Sequence, residues 1–99
     1  MTKTDLIDMV AEKTDLTKKD TGEIINTAVD SIMDYLSQEA NKPEDNRDNV
    51  QIIGFGTFEV KDRSARKGRN PQTGEEITIP ARTVPVFRAG KTFKETVEN

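Results

Sequence analysis

The feature that most limits what this chain can become lies between Lys61 and Arg82, KDRSARKGRNPQTGEEITIPAR. Its front half, Lys61 to Arg69, holds five basic residues (Lys61, Arg63, Arg66, Lys67, Arg69) against one acid, Asp62. Apolar side chains are almost absent. They are Ala65, then Ile77, Ile79 and Ala81, and the last three alternate with polar residues as a strand does. Between the two runs sits Asn70-Pro71-Gln72-Thr73-Gly74, a cluster of turn formers. Two extended polar runs meeting at a turn predict a β-hairpin, and one this poor in apolar residues cannot be buried. The stretch reads as an arm in solvent, and its charge suits the phosphate backbone of nucleic acid.

The rest of the chain must supply the body, and it has little to do so with. Ninety-nine residues make one small domain, with 32% apolar and 33% charged residues. With about a fifth of the length spent on the arm, a second copy is the expected way to complete a core. The absence of cysteine and histidine excludes disulfides, thiol chemistry and Cys/His metal sites, so neither metal nor cofactor is expected. No apolar run approaches the roughly 20 residues that span a bilayer, and no apolar signal region opens the chain. A cytoplasmic protein without membrane association is expected. The net charge of −3 is unevenly spread: residues 1–50 carry six basic and twelve acidic side chains, residues 51–99 nine and six. That segregation permits a local nucleic-acid footprint although the summed field opposes long-range attraction.

Taken in order, residues 3–14 predict a helix from Leu6, Ile7, Val10 and Ala11, with Thr2 or Thr4 as cap and Asp5 and Asp8 favouring the helix dipole. Thr17-Lys18-Lys19-Asp20 resembles a capping box opening a second helix. There Ile24, Ile25, Ala28, Val29, Ile32, Met33 and Leu36 form one apolar stripe, with Asp30, Asp34 and Glu39 off it. Core packing explains such a stripe, and a helix this long in so small a domain also suits packing on a second copy. Residues 41–49, NKPEDNRDN, read as an acidic loop. Strands are expected at 50–53, at 57–60 after the tight turn Gly54-Phe55-Gly56, and at 83–87, where Pro85 implies an edge or a bulge. Gly90 to Val97 predicts a closing helix with Phe93 and Val97 inward and Lys91 and Lys94 outward. The fold class is α+β: two helices, a three-stranded antiparallel sheet carrying a long arm, and a short C-terminal helix. The expected organisation is a single domain over 1–99, with a helical dimerisation region at 1–40, sheet at 50–88 with the arm at about 61–82, and the helix at 89–99.

Catalysis finds no support. Glu75 and Glu76 are adjacent, so on a strand they point to opposite faces and cannot act as an acid/base pair. Gly54-Phe55-Gly56 lacks the lysine and helix of a phosphate loop. No small-molecule substrate is expected. The arm's Arg63, Arg66, Lys67 and Arg69 read either as an ordinary solvated charge run or as a groove-tracking set. Their place on a ribbon with Pro71 at the tip favours the second reading. Arginine and asparagine along a minor groove, with an apolar wedge between base steps, are how such binders kink a duplex. Pro71 has a plainer alternative as a turn opener only. Lys91 and Lys94 are further candidates for phosphate contact.

Gly54-Phe55-Gly56-Thr57-Phe58 followed by Arg66-Lys67-Gly68-Arg69-Asn70-Pro71-Gln72-Thr73-Gly74 resembles the signature of the bacterial HU/IHF family of histone-like proteins. The opening Thr2-Lys3-Thr4-Asp5-Leu6-Ile7 and the ending Phe87-Arg88-Ala89-Gly90-Lys91 are similar to that family too, so the resemblance covers nearly the whole chain. Members of this family are themselves among the known minor-groove architectural proteins. The resemblance implies an intertwined homodimer, or a heterodimer with a paralogue, whose two β-arms wrap double-stranded DNA with little sequence specificity and bend or compact it. It implies Pro71 as the intercalating residue and Arg63, Arg66, Lys67, Arg69 and Asn70 along the arm. Arg82 falls on the returning strand, Lys91 and Lys94 beside flanking DNA, and Lys3 joins the expected contacts. Ile25, Val29, Ile32, Met33 and Leu36, with Phe55, Phe58 and Phe87, are the expected dimer core. A nucleoid-associated protein follows. The alternative from another class is a protein-interaction module that uses its acidic helical surface. The segment Glu39–Asn49 and the overall acidity depart from the family pattern, and both imply a shorter footprint and weaker binding.

Overall fold

The structure is a computed structural model that describes residues 1–98; Asn99, the last residue of the expected C-terminal segment, lies outside the described residues. Helices α1 (Lys3–Thr14) and α2 (Lys18–Glu39) are followed by one 3-10 turn (Glu44–Asn46). Strands β1 (Val50–Ile52), β2 (Gly56–Arg63), β3 (Arg66–Arg69), β4 (Glu76–Ile79) and β5 (Arg82–Ala89) come next, then α3 (Lys91–Val97). The α+β class and the helix-then-sheet order are as expected. The described residues form two compact units, Met1–Tyr35 and the part from Leu36 on.

In the first unit the chain starts α1 at Thr2. Its hydroxyl accepts from the Asp5 amide (3.2 Å) while the Asp5 carboxylate accepts from the Thr2 amide (2.9 Å). This reciprocal pair satisfies two of the helix's unpaired donors and puts an acid at the positive end of the dipole. Asp15 ends α1 in the left-handed region (φ 59°). The Thr17 hydroxyl then accepts from the Asp20 amide at 3.1 Å, half of the expected capping box. An ion pair, Lys18 to Asp8 at 3.4 Å, spans the connection.

The apolar stripe of α2 is only partly covered within one chain. Ile25 and Ile32 are half-buried and Leu36 is buried. Ile24 and Met33, by contrast, are 58% and 57% exposed, and Val29 is exposed as well. Among the described residues only Ala11, Leu36 and Val60 are buried apolar side chains. That is far less core than a chain of this size ordinarily closes on its own.

In the second unit β1, β2 and β5 form an antiparallel sheet with β2 in the middle. Pro85 pairs with Val60 on the edge strand β5, and the register is unbroken from Gly56↔Ala89 to Arg63↔Arg82. The edge alternative for Pro85 therefore holds, without a bulge. One face carries an aromatic cluster. Phe58 and Phe87 are cross-strand partners with centroids 4.8 Å apart, and Phe55 lies 5.0 Å from Phe87 and 5.3 Å from Phe93 of α3. The turn before β2 closes by a bond from the Phe55 amide to the Ile52 carbonyl, and the Phe55 carbonyl in turn accepts from Gly90. These bonds tie α3 to the sheet. Phe93 is half-buried as expected, but Val97 is 64% exposed. The expected inward Val97 is therefore corrected: α3 is only seven residues long, and its last residue lies past the aromatic cluster that holds Phe93.

Candidate nucleic-acid interface

Beyond Arg63↔Arg82 the sheet ladder stops, and a separate two-stranded ribbon, β3 with β4, continues in the same register from Arg66↔Ile79 to Arg69↔Glu76. The break falls at Ser64-Ala65 opposite Pro80-Ala81. Pro80 has no amide hydrogen to donate there, a local interruption that the sequence carried and the hairpin reading passed over.

Directly paired residues of a ribbon share a face. Arg66 therefore lies with Gly68, Ile77 and Ile79, while Lys67 and Arg69 lie with Glu76 and Thr78. The alternation that predicted the strand thus sorts the ribbon into a partly apolar face and a charged one. A Cβ on Gly68 would meet the Ile79 side chain at 3.2 Å, so a larger residue there would require Ile79 to shift. Lys67 reaches Glu76 at 3.6 Å, but both are well exposed and such a pair is worth little.

At the tip, the Asn70 side-chain oxygen accepts from the Gln72 amide at 2.9 Å. The Asn70 amide donates to the Glu75 carbonyl and its own carbonyl accepts from Gly74 (2.8 and 2.7 Å). Gly74 takes the left-handed conformation (φ 74°) that this closure demands. The Asn70 side-chain oxygen thereby takes part in the turn. Pro71 stands exposed at the apex. Arg63, Arg66, Lys67, Arg69 and Arg82 are likewise exposed, and all belong to the ribbon or its root.

The other sequence-derived candidates are spread elsewhere. Lys91 and Lys94 sit on α3, exposed, with Lys91 3.8 Å from Glu95. Lys3 lies in the first turn of α1, in the other unit. Of the expected dimer core, Phe58 is half-buried while Phe55 and Phe87 remain exposed despite their ring contacts.

Two groups escaped the sequence reading. Glu59 is buried on the central strand, with Arg88 at 2.7 Å and Lys61 at 3.7 Å, so both of these cations are partly neutralised on the sheet. Arg47 lies in the acidic loop, and its guanidinium binds Asp62 at 2.9 Å. Asp62 also accepts from the Thr83 hydroxyl at 3.0 Å, and the hydrogen bonds from Arg47, then Thr83, hold its carboxyl below the usual range. A lone arginine among acids was the available signal for Arg47. Its partner is fifteen positions away, which no local pattern reveals.

An α+β body that carries an exposed, cation-lined ribbon with a rigid apolar apex defines a protein equipped to grip a polyanion by inserting a β-ribbon. The chain matches the family model of bacterial DNA-binding proteins over residues 1–98, and it belongs to that family. It is 54% identical over 98 residues to "DNA-binding protein HU-1" of Halalkalibacterium halodurans, covering 99% of this chain and all of that one. To "DNA-binding protein HU 1" of Bacillus subtilis it is 53% identical over 97 residues, covering 98% of this chain and 97% of the other. Among solved structures, an Anabaena HU–DNA cocrystal structure matches with a TM-score of 0.84 at 43% identity, covering 99% of this chain and 98% of that one. A mutant HU from Thermotoga maritima matches at 0.68 and 32%, covering 99% and 100%.

Proposed function

We infer that this protein is a histone-like architectural DNA-binding protein, a dimer that lays two ribbons into the minor groove and bends the duplex with little sequence preference. The observation that carries this reading is the ribbon itself: five exposed arginines and lysines from Arg63 to Arg82 around a rigid, exposed Pro71. The cocrystal relative, at 43% identity over the same span, supports it. Residues 1–40 act as the dimerisation region, about 61–82 as the arm, and 89–99 as the closing segment. Ile25, Val29, Ile32, Met33 and Leu36 meet a second copy together with Phe55, Phe58 and Phe87. The exposed half of the α2 stripe is what supports that assignment. Lys3, Lys91 and Lys94 contact phosphates outside the ribbon. The activity is binding without catalysis, in the cytoplasm at the nucleoid. Among the described residues no helix is long and apolar enough to cross a membrane.

A minor groove shows only a degenerate pattern, so selectivity comes from how easily the duplex deforms. The test is a titration of labelled intact and nicked duplexes, with the bend read by energy transfer between their ends. Pro71→Ala is expected to lower the bend and the preference for nicked DNA more than affinity for intact duplex. Equal losses on every substrate would reduce Pro71 to a turn former. No binding near ~50 mM salt, where phosphate contacts are strongest, would favour the protein-interaction alternative.

A further inference from the structure

The loop between α2 and β1 is the part of this chain that the ribbon-and-groove mechanism leaves unused, and it is tied to the fold although its acids Glu44, Asp45 and Asp48 are exposed. The Glu39 carboxylate is buried, accepts from the Asp48 amide at 2.7 Å and pairs with Lys42 at 2.7 Å. The strongest tie is Arg47, whose side chain is 6% exposed. Its Nε donates to the Lys42 carbonyl (3.0 Å), one terminal nitrogen to the Ala40 carbonyl (3.1 Å) and the other to Asp62 (2.9 Å). One guanidinium thus closes the end of α2, folds the loop and holds the strand that enters the arm. Only a planar fork of donors reaches three acceptors in this way.

Where it holds that strand matters. Asp62 is paired with Thr83, one step before Arg63↔Arg82, and that is the last rung before the ladder stops at Pro80. The same residues line a cleft at the root of the arm, with Arg63 and Arg82 on its wall. A two-stranded ribbon is barely stable by itself. The ribbon keeps the register of the sheet across the two-residue interruption, so its direction follows from where the last rung is held.

We propose that Arg47 is a positioning residue for DNA bending: by clamping Asp62 to the α2–β1 loop it fixes the root of the arm, and with it the direction in which Arg63, Arg82 and the ribbon meet the duplex. The loop, a departure from the family pattern, is then a brace for the arm. The inference rests on the DNA-bending reading, and the measurements below separate the two.

The experiment uses the full-length protein with Arg47→Ala, Arg47→Lys and Asp62→Asn. Asp62→Asn is the conservative variant, nearly isosteric at a half-exposed site, and serves if loss of Arg47 disturbs folding. Hydrogen exchange of the free protein is read at 61–64 and 82–84, and the bend and affinity on a nicked duplex are read alongside. The loss of one charge-assisted bond should raise exchange about tenfold at the arm root, with little change in the tip turn. The bend should fall or broaden while affinity stays within about threefold, because the phosphate-contacting cations are all retained. Arg47→Lys, with one compact donor head, should resemble Arg47→Ala. Asp62→Asn should show the same effects at smaller size.

Exchange and bend equal to wild type in folded variants would overturn the proposal. So would altered exchange with an unchanged bend, since the clamp would then be local packing. If wild type binds no duplex, the function reading falls. The bending role of Arg47 falls with it, whereas a wild type that bends DNA beside folded variants that bend it equally overturns the clamp alone.

Discussion

Gly56 is a position where hydrogen alone fits. A Cβ there would stand 2.5 Å from the Arg88 carbonyl oxygen and 2.6 Å from the Phe87 ring, both held by the sheet register. Gly56→Ala should therefore destabilise by about 1–3 kcal/mol, the usual range for overpacking, as read by chemical denaturation. A second residue-scale expectation comes from the two anchored acids. Glu39 has its carboxyl lowered by the Lys42 hydrogen bond, then by the Asp48 amide, and Asp62 by Arg47 and then Thr83. In each case the folded pKa lies below the unfolded one. The stabilisation is thus fully present at neutral pH and is lost as pH falls below the ordinary carboxylate range and through the depressed folded values. Thermal melts should hold steady from neutral pH to about 5 and decline in acid. Asp62→Asn should remove part of that acid slope. A slope identical to wild type would mean the Arg47 pair contributes nothing to pH dependence.

At the scale of elements, the ribbon and the loop beside it have opposite charge. The 3-10 turn that carries Glu44 and Asp45 packs on β2, the strand that becomes one side of the arm. DNA that leaves the ribbon along this side would meet those carboxylates within about a Debye length, roughly 10 Å at 0.1 M salt. The paired change Glu44→Gln with Asp45→Asn should tighten binding several-fold at low salt and by less as salt rises. An unchanged affinity at every salt concentration would place the turn away from the DNA path. The two helices were readable as elements because their caps and apolar spacing are local. The clean stop of the ladder at Pro80 was not read, although that residue is equally local, because the surrounding alternation looks continuous.

For the whole molecule, the decisive quantity is how little one chain buries. With three buried apolar side chains among the described residues and half of the α2 stripe open, folding and association should be a single process. Melting should rise with protein concentration, and sedimentation equilibrium should give a dimer at micromolar concentration. Met33→Asp, which puts a charge on the open stripe, should shift the equilibrium strongly toward unfolded monomer. A folded, stable wild-type monomer would refute the dimer. The salt dependence of DNA binding belongs to this scale too. Log K should fall by about 0.9 for each phosphate neutralised. With Lys61 and Arg88 engaged by Glu59 and the first half of the chain acidic, the slope should report few phosphates.

The sequence by itself determined the arm, its charge, its turn and its apex, because each depends on residues a few positions apart. It also determined the helix caps and the need for a partner, since apolar content is a property of composition and spacing. Only the tertiary structure decided which charges are spent inside the chain. Arg47 with Asp62, and Glu59 with Arg88, join residues that strand register and loop folding bring together. Such pairs leave no period in the sequence, because the chain sets the distance between them only after the sheet has formed.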